Sequence, residues 1–229
     1  MAAHPLDNPV WGSLLGAHAQ FARRRGRAAR FDPDVTVFAA LSDDAADVGP
    51  AAWRDLEALA APGELLVVVD APFDPPAGWE IETRMVGVQL TGEDMLVEDD
   101  LEAIELGPAD VPEMTDLVAR TKPGPWRPRT VEMGRYIGVR VGGELVAMAG
   151  ERLRPDGWVE VSAVCTDERF RGQGLASRLT RAVGAGIVAS GQLPVIHASA
   201  GNVNAIRLYE SMGFVFRRNR EFLRVRAPR

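Results

Sequence analysis

The sequence is poor in cysteine, histidine and long apolar runs, and each shortage excludes a class of protein. The 229 residues include one cysteine, Cys165, so no intrachain disulfide can form and an intracellular protein is expected. The three histidines show no metal-ligand spacing, so no metal site is predicted. No apolar run approaches the ~18 residues of a membrane-spanning helix. The N-terminal residues also lack the apolar core of a secretory signal. We therefore expect a cytoplasmic protein with no membrane partner.

Positive charge is also in short supply. Lysine and arginine number 26 against 32 aspartate and glutamate residues, which gives a formal net charge of −6. A broadly basic surface that binds nucleic acid is therefore not expected. The run "RRRGRAAR" (residues 23–30) is locally basic, and we interpret it as a solvated helix end.

Two halves are indicated by an acidic segment at residues 91–110. The N-terminal half, residues 1–100, has the pattern of a small α/β unit and carries no motif with a chemical function. Its predicted helices are 9–24 and 50–60, and its predicted strands are 35–41, 64–70 and 81–90. The C-terminal half, residues 101–229, predicts the order β-α-β-β-β-α-β-α-β, ending in one or two strands over 214–226.

The stretch "RFRGQGLASRL" (residues 169–179) places two glycines and three arginines at the start of an apolar helix. A helix N-terminus offers unpaired N–H groups and favours anions. Gly172 and Gly174 allow close backbone approach, and Arg169 and Arg171 add positive charge. The pattern predicts a phosphate or pyrophosphate cradle. It lacks the third glycine of a dinucleotide fingerprint and the Gly-Lys-Ser/Thr of a Walker loop. A simple turn is the alternative.

Two motifs together resemble the GCN5-related N-acetyltransferase superfamily, and most closely its FR47-like branch, over residues 103–226. "RGQGLA" (171–176) matches the acetyl-CoA signature of that superfamily, and "NVNAIRLYESMGF" (202–214) matches its Asn-x-x-Ala…Leu-Tyr-Glu…Gly-Phe block. The resemblance implies a mixed, mostly antiparallel sheet with a splayed central strand and flanking helices, preceded here by the small N-terminal α/β domain. It also implies acetyl-CoA as cosubstrate and direct acetyl transfer to a primary amine.

The resemblance further implies which residues hold acetyl-CoA. Amides at the helix start would bind the pyrophosphate, and the end of the strand at 157–166 would hydrogen-bond the pantetheine arm. The implied cofactor-binding residues are Val164, Cys165, Thr166, Arg171, Gly172, Gln173, Gly174, Leu175, Ala176 and Asn202. Asn202 is also expected to cap the helix that follows it. "DERF" (167–170) departs from the superfamily, in which a proline is common.

Two residues are predicted to be catalytic. Glu160 lies where many superfamily members hold a general base, which an amine acceptor needs because its protonated form cannot attack a thioester. Strand alternation places Glu160, Ser162, Val164 and Thr166 on one face and Cys165 on the other. Tyr209 corresponds to the tyrosine that protonates the leaving thiolate. The alternatives are a surface glutamate and a core tyrosine with a satisfied hydroxyl.

Other functions remain open at this point. A catalytically idle acetyl-CoA-binding module with a regulatory or scaffolding role is the main alternative. Another is an acyltransferase that uses a longer acyl group or a hydroxyl acceptor. A Cys165 nucleophile with His197 as its base is disfavoured, because the superfamily transfers acetyl directly.

The acceptor is not identified by the sequence. The first helix of the C-terminal half, the loop "KPGPWRP" (122–128) and the final hairpin are expected to line its site. The N-terminal half could cover that site or form the interface of a homodimer.

Overall fold

The structure is a computed structural model that describes residues 4–42 and 49–229. The helices are Pro9–Leu15 (α1), Pro50–Glu57 (α2), Val111–Thr121 (α3), Leu175–Ala189 (α4) and Val203–Ser211 (α5). The first strands are Ala22–Arg25 (β1), Ala28–Phe31 (β2), Phe38–Leu41 (β3), Leu65–Val69 (β4), Glu80–Thr91 (β5) and Ile104–Leu106 (β6). The later strands are Tyr136–Val141 (β7), Glu144–Glu151 (β8), Trp158–Thr166 (β9), Leu193–Ser199 (β10) and Val215–Arg226 (β11).

All of these strands belong to one sheet, in the order β1-β2-β3-β4-β11-β5-β10-β9-β8-β7-β6. Only the β3–β4 and β9–β10 pairs are parallel among the described strands. β11 pairs with β4 on one side and β5 on the other, so the last strand of the chain joins the two halves. The predicted mixed, mostly antiparallel sheet is confirmed. The boundary near residue 100 stays a prediction.

The sequence pattern indicated that the basic run at residues 23–30 is a helix end, and this interpretation is wrong. Gly16 ends α1, and the run forms the β1–β2 hairpin, with Gly26 in a left-handed conformation at φ 46°. Two of its charges form ion pairs: Arg23 lies 2.8 Å from Asp32, and the buried Arg30 binds Glu64 at 2.6 Å. Similarly, residues 215–226 form a single strand rather than a hairpin.

Helices cover both faces of the C-terminal strands. Leu175, Leu179 and Val183 of α4 are buried against β7–β10, as their four-residue spacing predicts. On the opposite face, Met114 and Leu117 of α3 pack with residues of β7–β9. Because both faces are covered, the open space near these strands lies where two of them separate.

That separation occurs between β9 and β10. The strands pair in parallel only where residues 158–161 face residues 193–196, and no pairing continues beyond this point. The last residues of both strands therefore leave backbone groups facing the gap. The predicted splayed strand is confirmed.

A bulge in β9 changes which side chains face which side of the sheet. Ala163 has a left-handed φ of 52°, and the β8–β9 register shifts there. Val164 consequently packs with the α4-side core, as Val161 does, whereas Cys165 packs with the α3-side core. The predicted alternation, with Glu160 and Val164 on one face and Cys165 on the other, is therefore wrong beyond the bulge.

Candidate active site

A cleft of about 990 Å³ lies where β9 and β10 separate. The C-terminal half of the chain contributes one wall, which consists of the end of β9, the glycine turn before α4, the end of β10 and one face of α5. The other walls come from β3, β4, β5 and β11, and from the loop after α3. Both halves of the chain therefore contribute to the cleft.

The glycine turn before α4 has the conformation of an anion cradle. Gly172 and Gly174 have left-handed φ angles of 78° and 77°, which favour glycine strongly. A Cβ atom at either position would meet nothing within 4 Å, so the space before the helix is open. Arg171 lines this space. Arg169 does not line this space, because its guanidinium binds Asp167 and Glu144. The prediction that its charge adds to the anion cradle is therefore wrong.

The predicted cofactor-binding residues, except Gln173, all line the cleft. Gln173 is exposed at the turn. The Oδ1 atom of Asn202 accepts a hydrogen bond from the amide of Ala205 at 3.2 Å, which confirms the predicted helix cap. Arg207 on the same helix is exposed.

Tyr209 lines the cleft from α5 and is 7% exposed. Its ring packs edge-on against Phe214, with centroids 6.0 Å apart. Burial raises the pKa of Tyr209 to about 12, so its hydroxyl keeps its proton at neutral pH and can donate it. Leu208 lines the cleft and is half-buried rather than in the core, whereas Met212 is fully buried.

Glu160 lies behind the cleft rather than in it, with 1% of its surface exposed. Its oxygens accept two hydrogen bonds from Arg152, at 2.8 and 2.7 Å, and lie 2.8 Å from Nδ1 of His197. Burial alone would raise the pKa of Glu160, but Arg152 and His197 hold that pKa well below its ordinary value. The surface-glutamate alternative is therefore wrong, and the side chain has no direct contact with the cleft.

His197 connects Glu160 to the cleft. Its Nε2 atom lies 3.0 Å from the amide nitrogen of Gln89, whose oxygen accepts a hydrogen bond from Arg217 at 2.8 Å. The amide therefore donates to Nε2, and Nδ1 donates to Glu160. Sequence reasoning gave His197 no function, because strand register, which the sequence alone does not give, brings it to Glu160.

Cys165 is a poor nucleophile in this environment. Burial raises the pKa of its thiol to about 11, so the thiol is protonated at neutral pH. Among the described residues, no hydrogen bond joins Cys165 to His197, whose ring nitrogens face Glu160 and Gln89. The predicted direct transfer does not need this pair.

Comparisons with known proteins show the family of the chain. The family model described as FR47-like protein matches residues 136–223. A crystal structure described as an acetyltransferase of the GNAT family, from Novosphingobium aromaticivorans, is 40% identical over 97% of this chain and 98% of its own, with a TM-score of 0.89. The chain therefore belongs to the GCN5-related N-acetyltransferase (GNAT) family.

More distant structures share the fold. A GCN5-related N-acetyltransferase from Kribbella flavida is 21% identical over 97% of this chain and 96% of its own, with a TM-score of 0.61. A GCN5-related N-acetyltransferase-like protein from Streptococcus suis is 14% identical over 94% of this chain and 92% of its own, with a TM-score of 0.58. None of the curated proteins matches the chain significantly.

Residues 4–42 and 49–229 contain neither a membrane-spanning helix nor a candidate metal centre. Within these ranges, every helix is too short or too polar to cross a bilayer. The same ranges contain no group of three or more histidine, cysteine or acidic side chains that could hold a metal ion.

Proposed function

We propose that this protein is a cytoplasmic N-acetyltransferase that transfers acetyl directly from acetyl-CoA to a primary amine. The observation that carries the proposal is the continuity of the cleft. It runs from the open glycine turn, past Tyr209, to the gap between β9 and β10. One elongated ligand could reach all three features.

The residues fit acetyl-CoA. The turn at Gly172 and Gly174 leaves open space before helix amides, which suits a pyrophosphate. The unpaired edges of β9 and β10 suit the amide groups of a pantetheine arm. When bound, acetyl-CoA supplies a thioester whose C–S bond is exchanged for a C–N bond to the acceptor.

Tyr209 is proposed to donate a proton to the departing thiolate. Its raised pKa keeps the donor protonated, and α5 fixes its position at the cleft wall. Glu160 is proposed to assist removal of the amine proton through His197. For this relay the acceptor amine would have to replace the Gln89 amide at Nε2, which would take the proton, while Nδ1 passes its own proton to Glu160. Both oxygens of Glu160 are already engaged, so a proton from the cleft would reach its charge only through the imidazole.

This relay makes a prediction about pH. Glu160→Gln should lower kcat/KM by about 10²-fold or more, most strongly at low pH, where little neutral amine exists. Affinity for acetyl-CoA should be unchanged. A wild-type pH–rate profile in a folded Glu160→Gln protein would remove Glu160 from the mechanism.

The second candidate function is a catalytically idle acetyl-CoA-binding module. It is favoured by the hydrogen bonds that Arg152 and His197 already make to Glu160, because a bound carboxylate is a weaker base. Among the described residues, no carboxylate lines the cleft to act directly as a base. The test is to mix the purified protein with acetyl-CoA and a panel of primary amines. The transferase predicts free CoA and N-acetylated amine in equal amounts. Tight acetyl-CoA binding with no amine-dependent CoA release would instead indicate the idle module.

A further inference from the structure

The charge of the cleft is opposite in sign to the charge of the protein. The chain carries a formal charge of −6. Yet the described residues that line the cleft include no aspartate or glutamate. Those that carry positive charge are Lys122, Arg127, Arg152, Arg171 and Arg224. Arg152 is paired with Glu160 and Arg224 with Glu82, whereas the other three line the cleft without such a partner in the described residues. A cleft for a polycationic amine would need carboxylates, so this lining opposes such an acceptor.

Arg152 is built into the cleft as a fixed hydrogen-bond donor. It is 9% exposed, and its guanidinium lies 4.8 Å from the ring centroid of Phe38. Its Nε and Nη2 atoms bind Glu160, which holds the plane of the group. Nη1 makes no hydrogen bond to any described residue, although the side chain lines the cleft. A buried guanidinium with a free edge suits a carboxylate.

Arg127 adds an unpaired charge nearby. It lines the cleft, and its side chain bonds only the backbone oxygen of Trp126, at 3.3 Å, among the described residues. Its loop is anchored to the N-terminal half: the Arg127 amide donates to Thr130 at 2.8 Å, and the Thr130 hydroxyl donates to Val35 at 2.7 Å. Gly124 of the same loop lies beside Arg152.

Apart from Arg224, the part of the wall that comes from β3, β4 and β11 is apolar. Val37 and Phe38 come from β3 and the residue before it, and Leu65 and Val67 come from β4. Phe222 of β11 completes the wall, with its ring edge-on to His197 at 5.9 Å. A ligand at this end therefore meets hydrocarbon and guanidinium groups together.

We infer that the acceptor is an amine that also carries a carboxylate and an apolar side chain, as an apolar α-amino acid does. The inference rests on the proposed transferase function and names its substrate class. The carboxylate would bind the free edge of Arg152, with Arg127 adding charge, and the side chain would lie on the apolar wall. The proposed site for the phosphates of acetyl-CoA is a different part of the cleft, the glycine turn with Arg171.

The first experiment compares matched acceptors with the wild-type enzyme. The probes are L-leucine, L-leucinamide and 3-methylbutylamine, which share the amine and the apolar side chain. After correction for the fraction of neutral amine, kcat/KM for leucine should exceed that for both others by about ten- to a hundredfold, the effect of a charged hydrogen bond. Equal or better turnover of the two amines without a carboxylate would overturn the inference while leaving the transferase intact.

The second experiment removes the unpaired charge. Arg127→Gln should raise KM for leucine by about tenfold and leave the dissociation constant of acetyl-CoA unchanged. Arg207→Gln, on the exposed side of α5 and outside the cleft, is the matched control and should change neither. A weaker acetyl-CoA affinity in Arg127→Gln, with no change in KM for leucine, would show that this charge serves the cofactor and would overturn the inference.

A binding measurement separates failure of the inference from failure of the proposed function. Calorimetry with CoA present measures leucine and 3-methylbutylamine binding without turnover. If no amine is acetylated but leucine binds at least tenfold more tightly, the proposed function fails and the ligand class stands. If leucine shows no advantage, the ligand class fails whether or not the protein is a transferase.

Discussion

The proposed cofactor end of the cleft, at the glycine turn before α4, and its proposed acceptor end, beside Arg152, take their residues from different parts of the chain. The cofactor end is formed by short, local features: the turn at Gly172 and Gly174, and the capped start of α5. The acceptor end combines β3, β4 and β11 with a loop after α3. Local backbone geometry therefore suffices for one end, whereas the other depends on pairing between distant strands.

The largest expected effect is the loss of acetyl-CoA affinity when the glycine turn at the cofactor end is changed. Gly174→Glu places a carboxylate and a Cβ atom in front of the helix amides, and should weaken acetyl-CoA binding by about a thousandfold through the loss of two charged hydrogen bonds. Calorimetry measures the affinity. Gly191→Glu is the control, because Gly191 has a similar φ of 76° and similar open space at the other end of α4. Equal affinities in the two variants would refute the cradle.

The second prediction concerns the buried pair between the two ends. Glu160→Gln leaves the buried Arg152 without its counterion and should lower the free energy of unfolding by about 3 kcal/mol at neutral pH. Since the folded pKa of Glu160 lies below its ordinary 4.5, this stabilisation is present above pH 4.5 and is lost as the pH falls further. The difference in Tm between the wild type and Glu160→Gln should therefore become smaller as the pH falls below 4.5.

A matched variant in the N-terminal half separates stability from activity. Glu64→Gln also removes a counterion from a buried arginine, Arg30, but lies outside the cleft. It should lower Tm without lowering kcat/KM per folded molecule. If both variants lose activity only in proportion to stability, Glu160 is structural.

The sequence predicts the parts of the site that depend on local backbone geometry, and it does not predict the parts that depend on pairing between distant strands. The open glycine turn at the start of α4 and the cap at Asn202 were predicted because each depends on neighbours in the chain. The surroundings of Glu160 were not, because Arg152 directly follows β8 and His197 lies on β10, and the register of these two strands against β9 is a long-range property. The bulge at Ala163, which no local signal marked, also reversed the predicted facing of Val164 and Cys165.

A third prediction sharpens the role of Tyr209. Tyr209→Phe keeps the ring packing and should lower kcat by about a hundredfold, the lower end of acid–base effects, because the thiolate is a tolerable leaving group. Affinity for acetyl-CoA should not change. Tyr136→Phe is the control, since Tyr136 is the other tyrosine, is buried, and its hydroxyl has no hydrogen-bond partner in the described residues. Unchanged kcat in Tyr209→Phe would make this tyrosine a packing residue.

The smallest effect is expected at Cys165. Its protonated, buried thiol takes no part in direct transfer, so Cys165→Ala should retain activity within about tenfold and lose stability of about 1 kcal/mol. Steady-state turnover and thermal melting measure the two. Complete loss of turnover in the folded variant, together with an acetylated Cys165 in the wild type, would indicate a covalent intermediate instead.

The most direct test of the account is a crystal structure of the wild-type protein with acetyl-CoA. The account predicts the pyrophosphate within hydrogen-bond distance of backbone N–H groups of residues 172–176. It also predicts the acetyl group in the gap between β9 and β10, near the hydroxyl of Tyr209. A pyrophosphate bound elsewhere, or an acetyl group outside that gap, would contradict it.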